Sequence, residues 1–315
     1  EILSMLKTRL QTSFLSAGHT TAVLRSLSYT SPIARFRDIT SGIGFYEVVK
    51  DLEENFEERK ELLIENLKKI AGRIFRKENL MLSYTSAQEG LAVLEKAVPQ
   101  FADSLHTGEK ESHGQCIIHC KKRNEGFRTS SKVQYVARTG NFIDGGAEYT
   151  GALQILKVIL SYDYLWMNLR VKGGAYGCMS GFKRNGESYL VSYRDPHLKR
   201  TLDVYKRIPD YIRNFQADER EMTKYIIGTI SGKDVPRTPQ MKGSVSKTAY
   251  FCGVTEEMLQ KERDQILNAS AEDIHALAEI IEAVLAADQI CVVGSESKVA
   301  EASDVLMEVK PLINC

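Results

Sequence analysis

The stretch Leu165-Trp166-Met167-Asn168-Leu169-Arg170-Val171-Lys172-Gly173-Gly174-Ala175-Tyr176-Gly177 decides how this chain is read. It sets a fixed cation and a phenol six residues apart, across a glycine pair. The pattern predicts a helix ending near Arg170 and a strand opening near Tyr176. Glycines carry no Cβ, so such a turn can come close to another backbone. Arg and Tyr both keep their protons at neutral pH and are standing donors. Together they can hold and polarise a peptide carbonyl.

Upstream of the run, Leu153, Leu156 and Leu160 mark the apolar face of a helix expected over about 146–169. Downstream, strands are expected at about 175–182 and 188–193, joined by Lys183-Arg184-Asn185-Gly186. Asn-Gly between alternating apolar residues is a strong hairpin signal. Two more strands are expected at 116–120 and 132–138. Helices dominate 198–286, with Asp218 and Glu221 marking one N-terminus. The segment 232–243, with Pro236 and Pro239, reads as an exposed loop.

The two ends of the chain resemble each other faintly. The first copy runs from Glu58-Arg59-Lys60-Glu61-Leu62-Leu63 through a helix to an apolar strand over 79–86, then a second helix. The other runs from Glu262-Arg263-Asp264-Gln265-Ile266-Leu267 through a helix to a strand over 289–297, then a last helix. Leu63, Leu67, Ile70 and Ile74 give the first copy one apolar helix face. In the second, Ser270 with Asp273 resembles a capping box, and Ile274, Leu277, Ile281 and Leu285 form the stripe. The polar stretch 106–114 reads as a linker between two units.

At 315 residues the chain is long enough for two domains. Its 43% hydrophobic and 26% charged residues are ordinary for a globular protein. A net charge of +1 gives no electrostatic case for nucleic acid. No apolar run approaches the roughly 18 residues that cross a bilayer, so no membrane partner is expected. Six scattered cysteines in a chain with its own core point to reduced thiols. Among them His113-Gly-Gln-Cys116-Ile-Ile-His119-Cys120 offers four soft ligands in eight residues. Strand periodicity would send Cys116 and Cys120 to one face and His119 to the other, so the reading is a strand with small thiols, not a zinc site.

The run 165–177 resembles a segment near the C-terminus of M16 (insulinase/pitrilysin) metallopeptidases, most closely the presequence-protease/falcilysin branch. Met5-Leu6-Lys7-Thr8-Arg9-Leu10 through Ser16-Ala17-Gly18-His19, and Val191-Ser192-Tyr193-Arg194-Asp195-Pro196, are similar to that branch as well. The resemblance implies an α+β fold of two M16-type (LuxS/metallohydrolase-like) units, each an antiparallel sheet with packed helices. Residues 1–112 would be the later, helix-rich part of the penultimate domain, and 113–315 a complete C-terminal domain. It implies Arg170 and Tyr176 as catalytic residues, reaching across a closed chamber to a zinc site on the other half. It implies Gly173, Gly174 and Ala175 as substrate-binding residues. None of the six histidines opens the H-x-x-E-H motif of such enzymes. The zinc ligands are therefore expected in an N-terminal catalytic half of the same protein, with no metal in this chain and no activity from it alone. Short unfolded peptides are the implied substrates, and a bacterial cytoplasm, or an organelle matrix, the implied compartment.

Structural explanations compete for each residue. Tyr is common at strand openings, and a cation in a helix's last turn is favourable by about 0.3–1 kcal/mol. Neither accounts for the offset between Arg170 and Tyr176. Lys172 reads as solvent-facing, His19 as a packing residue, and the Arg194-Asp195-Pro196 turn as a strand terminator. Two rival functions remain: a non-catalytic M16 scaffold or peptide-binding subunit, and a phosphate-binding module. The second lacks a helix starting directly after the glycines.

Overall fold

The computed structural model describes residues 1–107 and 117–313. They form two compact units. The first comprises residues 1–50, 118–233 and 261 onward; the second comprises 51–117 and 234–260.

The first unit is built on a six-stranded sheet: β1 (Glu125–Thr129), β2 (Tyr135–Asn141), β3 (Gly177–Phe182), β4 (Glu187–Tyr193), β5 (Gln289–Ser295) and β6 (Glu308–Pro311). The strand order is β3-β4-β2-β5-β1-β6. The β3–β4, β4–β2 and β2–β5 pairs are antiparallel, as expected. β1 runs parallel to both β5 and β6, so the sheet is mixed. The chain leaves β5, crosses over a short helix and returns as β6 on the far side of β1, which makes those strands parallel.

Side chains alternate across this sheet with period two. On one face Val136, Leu190, Ile290 and Val292 join a core with helices at Ala152–Ile159, Lys199–Lys206, Ile208–Arg213 and Leu277–Ala286. On the other, Phe127, Tyr135, Ala137, Val191, Cys291 and Val293 pack with Phe14, Ala22, Tyr29, Ile43 and Tyr46 from the first fifty residues. The hairpin forms as read, with Gly186 at φ +84° and the Lys183 N–H donating to the Glu187 carbonyl at 3.0 Å. Both expected caps form as well: Ser270 with Asp273, and Asp218 with Glu221.

The first fifty residues share a compact unit with the sheet. Helix α1 (Ile2–Ser16) is followed by α2 (Gly18–Leu27), α3 (Pro32–Ser41) and α4 (Ile43–Glu54), and α2 lies on β2, β4 and β5. The reason is a stripe of small residues. A Cβ at Gly18 would overlap the Tyr135 ring. Ala22 and Ser26 are fully buried, and the Ser26 and Thr139 hydroxyls share a hydrogen bond of 2.8 Å. Beside Ser26, Arg25 is buried and donates to both Glu125 oxygens at 2.5 and 2.9 Å and to Asp38 at 2.7 Å.

The second unit is helical: α5 (Phe56–Ile74), α6 (Gln88–Asp103) and a helix at Pro239–Cys252. The strand read over 79–86 does not form. No strand runs alongside it among the described residues, and an unpaired strand leaves its backbone groups unsatisfied. The likeness of the two chain ends is thus confined to helices and sequence. The apolar face of α5 forms, but Leu67, Ile70 and Ile74 stay exposed. The loop read over 232–243 is shorter, because Thr238 caps a helix that starts with Pro239. Residues 117–120 are irregular rather than a strand; His113 and Cys116 lie outside the described residues.

Burial pushes the Glu125 carboxyl up, but the Arg25 guanidinium and the Lys310 ammonium hold it down at about 2. Its folded value lies below its unfolded one, so its stabilisation is complete above the usual carboxylate range. That stabilisation is lost as pH falls toward 2. Arg25→Met should cost about 3–5 kcal/mol in chemical denaturation, because two buried carboxylates lose their buried partner and keep only the more exposed Lys310 and Arg35. Glu125→Gln should flatten the acid limb of a stability–pH profile. An unchanged limb would show that this pair does not set it.

Candidate functional site

The helix that begins at Ala152 does not stay α-helical. Leu160–Tyr164 and Trp166–Val171 are π-helical, with five-residue spacing such as the Lys172 N–H donating to the Met167 carbonyl at 3.0 Å. Such wide turns are rare and often occur at functional sites. The expected helix therefore starts later than residue 146 and ends one residue past Arg170. Gly146 at φ +83° helps keep the preceding segment out of the helix. The strand after the turn opens at Gly177, one residue beyond Tyr176.

Between them the turn is tightly specified. Gly174 has φ +77° and its N–H donates to the Arg170 carbonyl at 2.9 Å. The Ala175 N–H donates to the Leu169 carbonyl at 2.9 Å. A Cβ on Gly173 would overlap that same Leu169 oxygen. Gly173 and Ala175 are buried while Gly174 is exposed. The N–H groups of Gly174 and Ala175 thus close the turn itself. Of the three residues read as substrate-binding, Gly174 is the one that faces solvent.

The turn delivers both donors to one place. Arg170 is exposed, and its guanidinium carbon lies 4.2 Å from the Trp166 ring centroid and 5.7 Å from that of Tyr176. Trp166 and Arg170 are four residues apart, so the wide helix stacks one over the other. Tyr176 is 65% exposed, and its backbone N–H donates to the Tyr193 carbonyl at 3.0 Å. Its hydroxyl has no hydrogen-bond partner among the described residues, nor does Arg170 have a carboxylate. Burial pushes the Cys178 thiol up to about 11, against the pull of the nearby Arg170 charge.

Behind Tyr176 stands a set of rings that sequence reading did not assemble. Tyr193 lies 5.8 Å from Tyr176, 5.5 Å from Tyr135 and 4.9 Å from His19. His19, read as a packing residue, does pack here; burial lowers its pKa. Tyr135, Tyr193 and His19 are far apart in sequence, and only the pairing of β4 with β2 and the seating of α2 bring them together.

No group of three or more His, Cys, Asp or Glu able to hold a metal occurs among the described residues. No helix among the described residues is long and apolar enough to cross a membrane.

Residues 124–297, more than half of the chain, match the PreP C-terminal domain family. The chain belongs to that family. It is an M16 C-terminal region of the presequence-protease type. Protein HypA of Clostridium perfringens is 39% identical over 99% of this chain and 32% of its own length. Presequence protease 1, chloroplastic/mitochondrial, of Arabidopsis thaliana is 29% identical over 90% of this chain and 26% of its own. This sequence thus spans about a third or less of these relatives. Among solved structures, a peptidase M16 inactive domain from Pseudomonas fluorescens is a loose likeness. It has a TM-score of 0.44 and 17% identity over 71% of this chain and 53% of its own.

Gly173→Ala should destabilise the protein more than Gly174→Ala. At Gly174 the cost is the left-handed φ alone, about 1–2 kcal/mol, since the nearest atom is Pro196 at an ordinary 3.6 Å. At Gly173 a backbone oxygen must move. Equal losses in denaturant titration would contradict the close approach to Leu169.

Proposed function

We propose that this region works as the substrate-facing wall of a zinc metalloendopeptidase that degrades short unfolded peptides. The observation that carries the reading is the exposed Arg170–Tyr176 pair: two donors, stacked side by side, without acidic partners among the described residues. The Tyr176 phenol would donate a hydrogen bond to the scissile carbonyl as that oxygen gains charge. Donors fixed in advance toward developing charge are among the largest single terms in catalysis. Arg170 would anchor the peptide backbone beside it, held in orientation by Trp166. The planar fork makes two directed bonds that Lys cannot reproduce. The zinc and the groups that bind it belong, in this reading, to an N-terminal half of the same protein.

Membership in the PreP C-terminal domain family supports a peptidase context. The spent N–H groups of the glycine turn support a structural task for Gly173 and Ala175, which hold Arg170 and Tyr176 in register. Gly174 remains free to approach the peptide. Residues 1–112 would descend from the preceding M16 repeat even though their first fifty pack on the final sheet. The described cysteines Cys120, Cys178, Cys252 and Cys291 are free thiols, which suits a reducing cytoplasm or organelle matrix.

In the complete enzyme, Tyr176→Phe should lower kcat by about 10²–10³ with a smaller change in KM. Arg170→Lys should raise KM more than it lowers kcat. Zinc content should be unchanged in both. Steady-state kinetics on a short fluorogenic peptide measures this. If Tyr176→Phe kept near wild-type kcat, the reading as a non-catalytic scaffold would replace this one.

A further inference from the structure

Arg194 holds a conformation that its residue type disfavours. Its φ is +48°, one of three non-glycine residues in the left-handed region among the described residues. An arginine there is strained relative to glycine. The backbone requires the bend. Tyr193 pairs with Gly177 of β3, whereas Asp195 bonds back to Gln134 at 2.8 Å in both directions. The chain changes partner between them, and glycine would make that change without strain.

The Arg194 side chain is exposed, with its guanidinium carbon 5.6 Å from the Tyr193 ring centroid. The groups that act on it are the phenols of Tyr135, Tyr193 and Tyr176, and no carboxylate pairs with it among the described residues. The adjacent acid, Asp195, is 1% exposed and already spent. It accepts from the Thr201 hydroxyl at 2.5 Å and the His197 N–H at 2.8 Å. Arg170, 5.7 Å from the Tyr176 ring centroid, is also without a carboxylate among the described residues. Lys172 and Arg200 add positive charge nearby, Arg200 donating to the Lys172 carbonyl at 3.0 Å. The end of the β3–β4 pair thus carries cations beside the exposed Tyr176 and the half-buried Tyr193.

We infer that Arg194 is a substrate-anchoring residue that takes a carboxylate of the bound peptide, beside the Tyr176 site. The Tyr193 ring flanks the guanidinium and the Tyr135 hydroxyl takes one hydrogen bond from it, while the rest of the exposed fork faces solvent. The carboxylate is either the peptide's C-terminus or an acidic side chain, since both present the same planar acceptor. This deepens, and rests on, the reading of Arg170 and Tyr176 as the peptide-facing pair.

The test uses the complete enzyme and four matched peptides: free C-terminus or C-terminal amide, each with Glu or Gln at one internal position. The wild type should favour the peptide bearing the recognised carboxylate by about tenfold in kcat/KM, the size of one charge-assisted hydrogen bond. Whether the preference follows the terminus or the side chain identifies its source. Arg194→Gly should erase the preference, and should do so through KM rather than kcat. It should not lower the melting temperature, because glycine relieves the φ. Arg194→Lys should restore part of the preference. No preference in the wild type, or a preference that survives Arg194→Gly, overturns the inference. Tyr176→Phe run in parallel separates the two claims. If it lowers kcat but keeps the carboxylate preference, a failure at Arg194 leaves the Tyr176 reading intact.

Discussion

A guanidinium removed from water ties the first fifty residues to the sheet. Arg25 is 1% exposed and would be intolerable there alone. It is satisfied because Glu125 from β1 takes it with both oxygens while Asp38 from α3 takes its third edge. A pair of this kind adds little net stability over an apolar substitute, but it tolerates no change of register. With Arg25 seated, α2 can sit in only one place. Gly18 then lies against Tyr135, and His19 against Tyr193. Tyr193 is the ring on which Tyr176 leans. The ion pair and the site thus stand at two ends of one helix, and the position of Tyr176 depends on both.

The turn at 170–176 works by a different rule. Its geometry rests on hydrogen bonds from Gly174 and Ala175 back into the last helical turn, and on the absence of a Cβ at Gly173. These bonds consume the N–H groups that a glycine pair first suggests as ligand donors. What the turn presents to solvent is the pair of side chains on either side of it. The π-helical widening ahead of it stacks Arg170 on Trp166, so the cation is oriented before any substrate arrives. An anchor held this way gives up less entropy on binding.

Much of this was legible in the sequence, for identifiable reasons. The hairpin followed from Asn185-Gly186, the caps from Asp218 with Glu221 and Ser270 with Asp273, and the cation–phenol pair from its spacing. The errors share a cause: they lie where distant segments decide. β1 escaped notice because Glu125 and Arg128 make it look polar, yet Glu125 is buried by Arg25 from a hundred residues away. The apolar run at 79–86 looked like a strand but has no neighbour to pair with. The π-turns carry no recognisable signature in residues 160–171, and the turn at Arg194-Asp195-Pro196 ends β4 as read, though its sequence does not display the left-handed φ of Arg194.

The account makes Tyr176 and Arg170 the surface that meets a peptide at its scissile bond. The most direct measurement is a structure of the complete peptidase, inactivated at its metal centre, with a short peptide bound. The Tyr176 hydroxyl should lie within about 2.6–3.2 Å of the scissile carbonyl oxygen, with the Arg170 guanidinium on the neighbouring backbone. A peptide bound with its scissile carbonyl out of reach of Tyr176, and the phenol still turned to solvent, would contradict it.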